Sequence, residues 1–173
     1  EVEMWMLGSS LFGASLAAAL GLPYAFASHF APDHLDAALA LYRERFRPSA
    51  TLGQPHVMAA MMVICADSDD EAQVLASSQE QGFVALRSGT PGRMKPPVDD
   101  YRAGLPPQFQ GMFAHLDQAR AVGSQQTVHD KMLAFVARTG ADEIIISGAT
   151  FDPAAQCRSL ALTAEAFGLN KNG

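Results

Sequence analysis

The residues best placed to do chemistry in this chain are small ones, in the run Leu7-Gly8-Ser9-Ser10-Leu11-Phe12-Gly13-Ala14. An apolar stretch ends at Leu7, and Leu, Ala and Ser residues that favour helix follow from Leu11 to Leu20, with Gly21 as a natural stop. The Gly-Ser-Ser turn should therefore join the C-terminal end of a strand to the N-terminus of a helix. The first amides of a helix have no intrahelical partners and carry the positive end of its dipole. Such a turn can wrap a phosphate in backbone donors, to which Ser9 and Ser10 add hydroxyls. Gly13 would let a ligand approach the backbone with no side chain in the way. By itself the same pattern also fits an ordinary helix N-cap.

His29 is the polar candidate nearest to this turn in kind, since Ser28 and His29 end the next apolar run, Pro23 to Ser28, and would share a rim with Gly8 to Gly13 in a parallel sheet. Its two readings are a structural hydrogen-bonding residue and a residue facing a ligand. His34, His56, His115 and His129 have no partner spacing and read as surface or packing residues. Asp69, Asp70 and Glu71 read as the solvated start of a helix, and Cys65 and Cys157, far apart in apolar surroundings, as packing residues in a reducing setting. There is no His-Glu-x-x-His, no spaced carboxylate and histidine cluster and no glycine-rich dinucleotide fingerprint, so neither a metal site nor Rossmann-type binding is expected.

Composition narrows the partners. Apolar residues make up 49% of 173 residues and charged ones 17%, which suits one globular domain. The formal charge of -6, with no basic cluster, argues against nucleic acid. Met4 to Pro32 contains no Asp, Glu, Lys or Arg, long enough to raise a membrane span of about 20 residues. Gly8, Ser9, Ser10, Gly13, Gly21 and Pro23 break that stretch into strand, helix and strand instead, and Glu1 and Glu3 stand where a signal peptide would be basic. A cytoplasmic protein is expected.

The elements that must position these residues follow from the periodicity. Val2 to Leu7 and Leu11 to Leu20 form one strand-helix unit. Pro23 to Ser28 and Leu35 to Phe46 form a second, with Leu35, Leu39, Tyr42 and Phe46 on one helix face. His56 to Ala66 is apolar on alternating faces, as in a buried parallel strand. Ser68 and Glu71 then have capping-box spacing for a helix from Asp69 to Leu86. Arg87 to Pro107, rich in Gly and Pro, reads as a lid or excursion. Helices are expected over Phe109 to Arg120 and, capped by Ser124, over Gln125 to Thr139. A strand over Glu143 to Ser147 and a helix over Ala154 to Phe167, with Asp152 and Pro153 as its start, complete a fourth unit. Four such units without hairpin signals predict a parallel α/β sheet. A (β/α)8 barrel needs about 250 residues, so the chain is either a small open sheet or half of a barrel. A start at Glu1, without methionine and almost directly in strand-like sequence, is expected of a piece of a longer protein or a processed product.

Several runs, taken as a set, carry a family resemblance: Trp5-Met6-Leu7-Gly8-Ser9-Ser10-Leu11-Phe12-Gly13-Ala14; Leu20-Gly21-Leu22-Pro23-Tyr24-Ala25-Phe26-Ala27-Ser28-His29-Phe30; Tyr42-Arg43-Glu44-Arg45-Phe46-Arg47-Pro48-Ser49; Ala66-Asp67 with Asp69-Asp70-Glu71-Ala72; and Thr139-Gly140-Ala141-Asp142-Glu143. Together they resemble the luciferase-like flavin-dependent monooxygenases over nearly the whole chain. The resemblance implies a partial TIM (β/α)8 barrel, with residues 1–173 as its C-terminal half, strands five to eight, and a lid-like insertion over about 87–107. It also implies that the loop after the fifth strand holds the phosphate of FMN, on Gly8, Ser9, Ser10 and the amide near Gly13, and that His29 lies near flavin or substrate. Generic barrel statistics favour the loops after strands seven and eight, and here the family location takes precedence.

In that family the flavin performs the oxygen or hydride chemistry while the protein orients it and excludes water. The implied activity is oxidation of a small organic substrate with reduced FMN and oxygen. A deazaflavin is the alternative cofactor, and a flavin reductase is a possible partner. One departure is Phe151-Asp152-Pro153, where relatives commonly carry a histidine after the aspartate. The competing reading is a non-catalytic half-barrel. Strands starting near Glu3 and Glu143 would present unpaired backbone, so a homodimer is expected.

Overall fold

The computed structural model describes residues 2–169; Glu1, weighed above as part of the N-terminus, lies outside them. In chain order the elements are β1 (Met6–Gly8), α1 (Leu11–Leu20), β2 (Tyr24–Phe26), a 3-10 turn (Pro32–His34), α2 (Leu35–Arg45), β3 (Val57–Cys65), α3 (Asp69–Arg87), α4 (Pro107–Leu116), a 3-10 turn (Asp117–Ala119), β4 (Arg120–Gly123), α5 (Gln125–Thr139), β5 (Glu143–Ser147) and α6 (Pro153–Ala166). They form two compact units. One runs to Met61 and includes Ala134–Ser147; the other comprises Met62–Leu133 and the chain from Gly148 onward.

In the first unit β1 and β2 pair in parallel with Gly8 opposite Phe26, and β2 pairs in parallel with β3 with Tyr24 opposite Val57. β5 also pairs β3. Asp142 fixes that junction, its amide donating to Val57 O at 2.9 Å and its carboxylate accepting from Val57 N at 2.8 Å. Only three residues of β1 are strand, shorter than the Val2 to Leu7 expected, because β2 offers only Tyr24–Phe26 as partner. α1 packs against β1 and α2 through Ala14, Ala17 and Ala18, whose small side chains allow close approach. Tyr24, Phe26, Tyr42 and Phe46 form an aromatic chain with centroids 5.3 to 6.1 Å apart. α1 ends at Gly21, in the left-handed region at φ 62; a Cβ there would stand 2.5 Å from Arg47 O and 2.7 Å from Ser49 Cβ, so the turn requires glycine.

In the second unit the end of β3 pairs in parallel with β4, Met62 opposite Arg120 and Cys65 opposite Gly123. Met62, Ile64, Ala66, Ala72, Ala76 and Val122 make the core that seats α3 on these strands. Ser68 caps α3 by accepting from Glu71 N at 3.1 Å. The reciprocal bond of the capping box falls one residue earlier than expected, with Glu71 Oε2 accepting from Asp67 N at 3.2 Å. Asp152 caps α6, accepting from Ala154 N at 3.0 Å with Pro153 in the first turn. Between α3 and α4, residues 88–106 form no helix or strand. They are nevertheless tied to α3, as Val98 N donates to Ser77 Oγ and Gln81 Nε2 to Pro96 O, both at 2.8 Å.

Two expectations are corrected. The strands number five rather than four among the described residues, because β4 lies where a helix was expected to run on to Arg120. A four-residue strand buried throughout shows no alternation, and it follows a helix directly. The helix before it begins at Pro107, earlier than Phe109, and ends at Leu116. Proline at the first helical position supplies the right φ and gives up an amide that needed no partner, so Pro107 opens the helix instead of closing the loop.

Candidate functional site

The site begins at the junction of β1 and α1. Ala27 N donates to Gly8 O at 2.9 Å, which holds the end of β1 against β2. Beneath the turn lies Tyr24, fully buried, whose hydroxyl donates to Ser10 O at 3.2 Å. Burial pushes this phenol up to about 12, so it remains a donor at neutral pH. Gly13 is itself buried: a Cβ there would lie 3.5 Å from Gly8 Cα and 3.7 Å from Tyr24 Cε2. Gly13 thus packs in ordinary contact with the strand end and the tyrosine ring.

Ser10 is the N-cap residue in extended conformation, yet its side chain accepts no capping bond, and no acidic residue stands in the first turn. The first helical bond is a long one, from Ala14 N to Ser10 O at 3.4 Å. The amides of Leu11, Phe12 and Gly13 therefore have neither an intrahelical acceptor nor a side-chain cap, and the hydroxyls of Ser9 and Ser10 stand beside them. Chemically this is a donor-rich turn at the positive end of a helix dipole, suited to an oxyanion. No basic side chain belongs to the turn.

His29 follows β2 in a turn fixed by Ser28, whose buried hydroxyl donates to Ala60 O at 2.5 Å. The Nδ1 atom of His29 is buried with no hydrogen-bond partner. Burial lowers its pKa below the usual 6.5, so the imidazole is neutral at pH 7. An NMR titration of the ring should give a midpoint below 6.5. A midpoint above it would mean that a carboxylate faces the ring. The lowered pKa also sets a sign: the unfolded chain binds this proton more readily, so the contribution of His29 to stability falls as the pH drops through 6.5 toward the folded value.

The other histidines read as surface or packing residues lie elsewhere. His56 Nε2 meets Glu143 Oε1 at 2.7 Å and its ring stands edge-on to Trp5, while His129 contacts Asp130 and the Phe167 ring. His34 and His115 are exposed. Asp69 is more than a solvated helix start: its carboxylate accepts from Ser124 N at 2.6 Å and from Thr127 Oγ1 at 3.1 Å. Those bonds hold its pKa below the ordinary carboxylate range and tie the start of α3 to the β4–α5 turn. Cys65 is buried as expected, and Cys157 is exposed. Among the described residues no group of three or more His, Cys, Asp or Glu could hold a metal, and no helix is long and apolar enough to cross a membrane.

The second unit contains a charge cluster that no sequence pattern announced. Glu80 on α3 is 2% exposed, and its Oε1 accepts from Arg102 Nη2 at 2.7 Å and Nε at 2.9 Å. Arg102, from the 88–106 segment, also donates to both oxygens of Asp117 and lies over the Phe113 ring. Arg120 on β4 is buried as well, with Nη1 at 3.1 Å from Glu80 Oε1 but without hydrogen-bond geometry. Glu80 is the nearer of two charge contacts, Asp117 Oδ1 standing 3.6 Å from the same Nη1, and no guanidinium nitrogen makes a hydrogen bond. The cluster fastens the excursion to α3.

Comparison with known proteins gives a consistent picture. A family model described as luciferase-like monooxygenase matches residues 2–143. A luciferase-like monooxygenase of Escherichia coli K12 is 42% identical over 162 residues, which is 94% of this chain and 48% of that protein. The crystal structure of apo-MsnO8 superposes with a TM-score of 0.80 at 28% identity, covering 98% of this chain and 52% of that one. The oxygenating constituent of the 3,6-diketocamphane monooxygenase of Pseudomonas putida shares the fold at a TM-score of 0.60 and 22% identity, covering 95% of this chain and 47% of that one. The chain spans about half the length of the curated relatives it matches.

Proposed function

This chain belongs to the luciferase-like monooxygenase family, and from that premise we propose that it carries the flavin-phosphate turn of a flavin-dependent monooxygenase acting on a small organic substrate with reduced FMN and oxygen. The observation that carries the proposal is the uncapped first turn of α1. The amides following Ser10 and the hydroxyls of Ser9 and Ser10 would hold the phosphate, with Gly8 and Gly13 shaping the turn over Tyr24. His29, which follows β2, would lie near flavin or substrate. The bound flavin supplies the oxygen chemistry; the protein's part is to orient it and keep water out. FMN is the first ligand to test, because the diketocamphane relative is in complex with it; a deazaflavin is the alternative.

In this reading β1, β2, β3 and β5 are strands five to eight of a (β/α)8 barrel, β4 belongs to the excursion, and residues 88–106 act as a lid. The protein works in the cytoplasm, and a flavin reductase supplies the reduced cofactor. Titrating the chain with FMN and with riboflavin, followed by flavin fluorescence, tests the proposal. FMN should bind at least about tenfold tighter, the worth of a charge-assisted hydrogen bond. Equal affinities would remove the phosphate role from the turn.

One observation favours self-association as a second reading. α1 is apolar on its outer face as well as its inner one, with Leu11, Phe12, Leu16 and Leu20 exposed, and Phe12 reaching 76% exposure. A helix apolar all round normally has both faces covered. The chain should therefore sediment as a dimer, whereas a monomer at high concentration would end this reading.

A further inference from the structure

One oxygen of Glu80 serves two arginines. Glu80 Oε1 accepts from Arg102 Nε at 2.9 Å and from Nη2 at 2.7 Å, which fills both lone pairs of that atom. Arg120 Nη1 stands 3.1 Å from the same oxygen, within hydrogen-bond distance, yet it is not aligned to donate. The two arginines differ in what carries them. Arg120 is set in β4 and is 5% exposed, whereas Arg102 belongs to the 88–106 segment and its side chain is 35% exposed. Little else holds that segment down. Residues 88–100 are exposed apart from the half-buried Pro97, and the bonds from Val98 N to Ser77 Oγ and from Gln81 Nε2 to Pro96 O are single neutral ones. An open depression of about 510 Å³ is lined by Asp70, Val74 and Glu80 of α3 and by residues 99–103, so the segment is not packed onto the helix there. Asp70 on one side and Asp99 and Asp100 on the other put charge of like sign on both banks.

We propose that Glu80 is a partner-swapping latch: when Arg102 leaves with the 88–106 segment, Glu80 passes to Arg120, so the segment opens and closes as a strap without stranding a buried charge. Withdrawing Arg102 frees the lone pairs of Oε1, and a small rotation of the Arg120 guanidinium then makes a charge-assisted bond in its place. Without a second arginine within reach, opening would leave a buried carboxylate with no cation, the costly outcome for any buried pair. Arg102 carries its own charge into water, to which a third of its side chain is already open. The result is two states separated by less than a whole ion pair, closed on Arg102 and open on Arg120. The proposal rests on this charge cluster and not on flavin binding.

Hydrogen exchange at the Val98 amide, whose acceptor is Ser77 Oγ on α3, reads the opening of the strap in the full chain. In Arg120→Met the open state has no cation for Glu80, so exchange should slow at least about tenfold, the worth of one hydrogen bond to a charged group. In Arg102→Met it should quicken by at least about tenfold for the same reason, and a crystal structure of that variant should show Arg120 donating to Glu80. Unfolding temperatures give a measurement separate from the motion. Each single variant leaves Glu80 one arginine, whereas Arg102→Met with Arg120→Met leaves none, so the loss in the double variant should exceed the sum of the two. If the double variant does not fold, the two exchange rates and the Arg102→Met structure still decide. Exchange unchanged or faster in Arg120→Met, an Arg120 guanidinium still unbonded in Arg102→Met, or additive losses would each overturn the proposal. None of these readouts uses flavin, so the outcome of the FMN titration is independent of them.

Discussion

Replacing Ser9 and Ser10 together by alanine is expected to weaken FMN binding by about two orders of magnitude while leaving riboflavin within a few-fold. A hydrogen bond to a charged group contributes about 1.5–3 kcal/mol, and two hydroxyls aimed at one phosphate are removed at once. The backbone amides of the turn remain, so binding is reduced and not abolished. Riboflavin lacks the phosphate and serves as the internal control. Stability should hardly change, because the Ser10 side chain accepts no capping bond in the folded protein, whereas losing a working N-cap costs about 1 kcal/mol. The decisive measurement is the ratio of the two dissociation constants by fluorescence titration. A parallel loss of both ligands would show that the turn shapes the ring site and does not hold the phosphate.

The largest stability effect is expected at Glu80. Substituting Glu80→Gln should destabilise the protein by about 3–5 kcal/mol, because breaking a buried ion pair leaves the other charge uncompensated. The charge left behind is that of Arg120, whose guanidinium makes no hydrogen bond and whose next acid, Asp117, is farther away at 3.6 Å. Burial already lowers the pKa of Arg120, and the Glu80 carboxylate is the leading influence that restores it. For a chain of this size the loss corresponds to roughly 10 °C in the unfolding temperature. Arg102, about a third exposed and still paired to Asp117, can find water and should matter less. The double variant Glu80→Gln with Arg120→Met removes both buried charges and should regain most of the loss. If it proved no more stable than Glu80→Gln alone, Arg120 would not be the charge left stranded. Calorimetry of the two single variants and the double one closes the cycle.

The reach of the sequence is clearest where a signal is local. α1 over Leu11–Leu20, α5 over Gln125–Thr139 and β5 over Glu143–Ser147 have the bounds that their composition and punctuation foretold. Each is set by neighbours within a few residues: a stop at Gly21, a start after Ser124, a run of isoleucines. The Gly-Ser-Ser turn was legible for the same reason, since a helix N-terminus and the residues that precede it are contiguous. Family membership was readable too, because it rests on many short runs in fixed order.

What the tertiary structure decided lies in relations between distant residues. That Tyr24 lies beneath Gly8 and Gly13 and donates to Ser10 O depends on β1 pairing with β2. That Gly13 packs against Gly8 and the Tyr24 ring follows from the same pairing. β4 became a strand because β3 offered it a free edge from Met62 to Cys65, a condition that four residues cannot encode alone. The Glu80–Arg120 contact joins positions forty apart on a helix and a strand, and the orphaned atoms of His29, Ser78 and Gln79 are defined by what fails to reach them. The sequence by itself determined most of the elements, the Gly-Ser-Ser turn at the start of α1 and the family, because local propensity and contiguous motifs determine those. Burial, pairing and the absence of partners needed the folded chain, because each is a property of space and not of sequence neighbours.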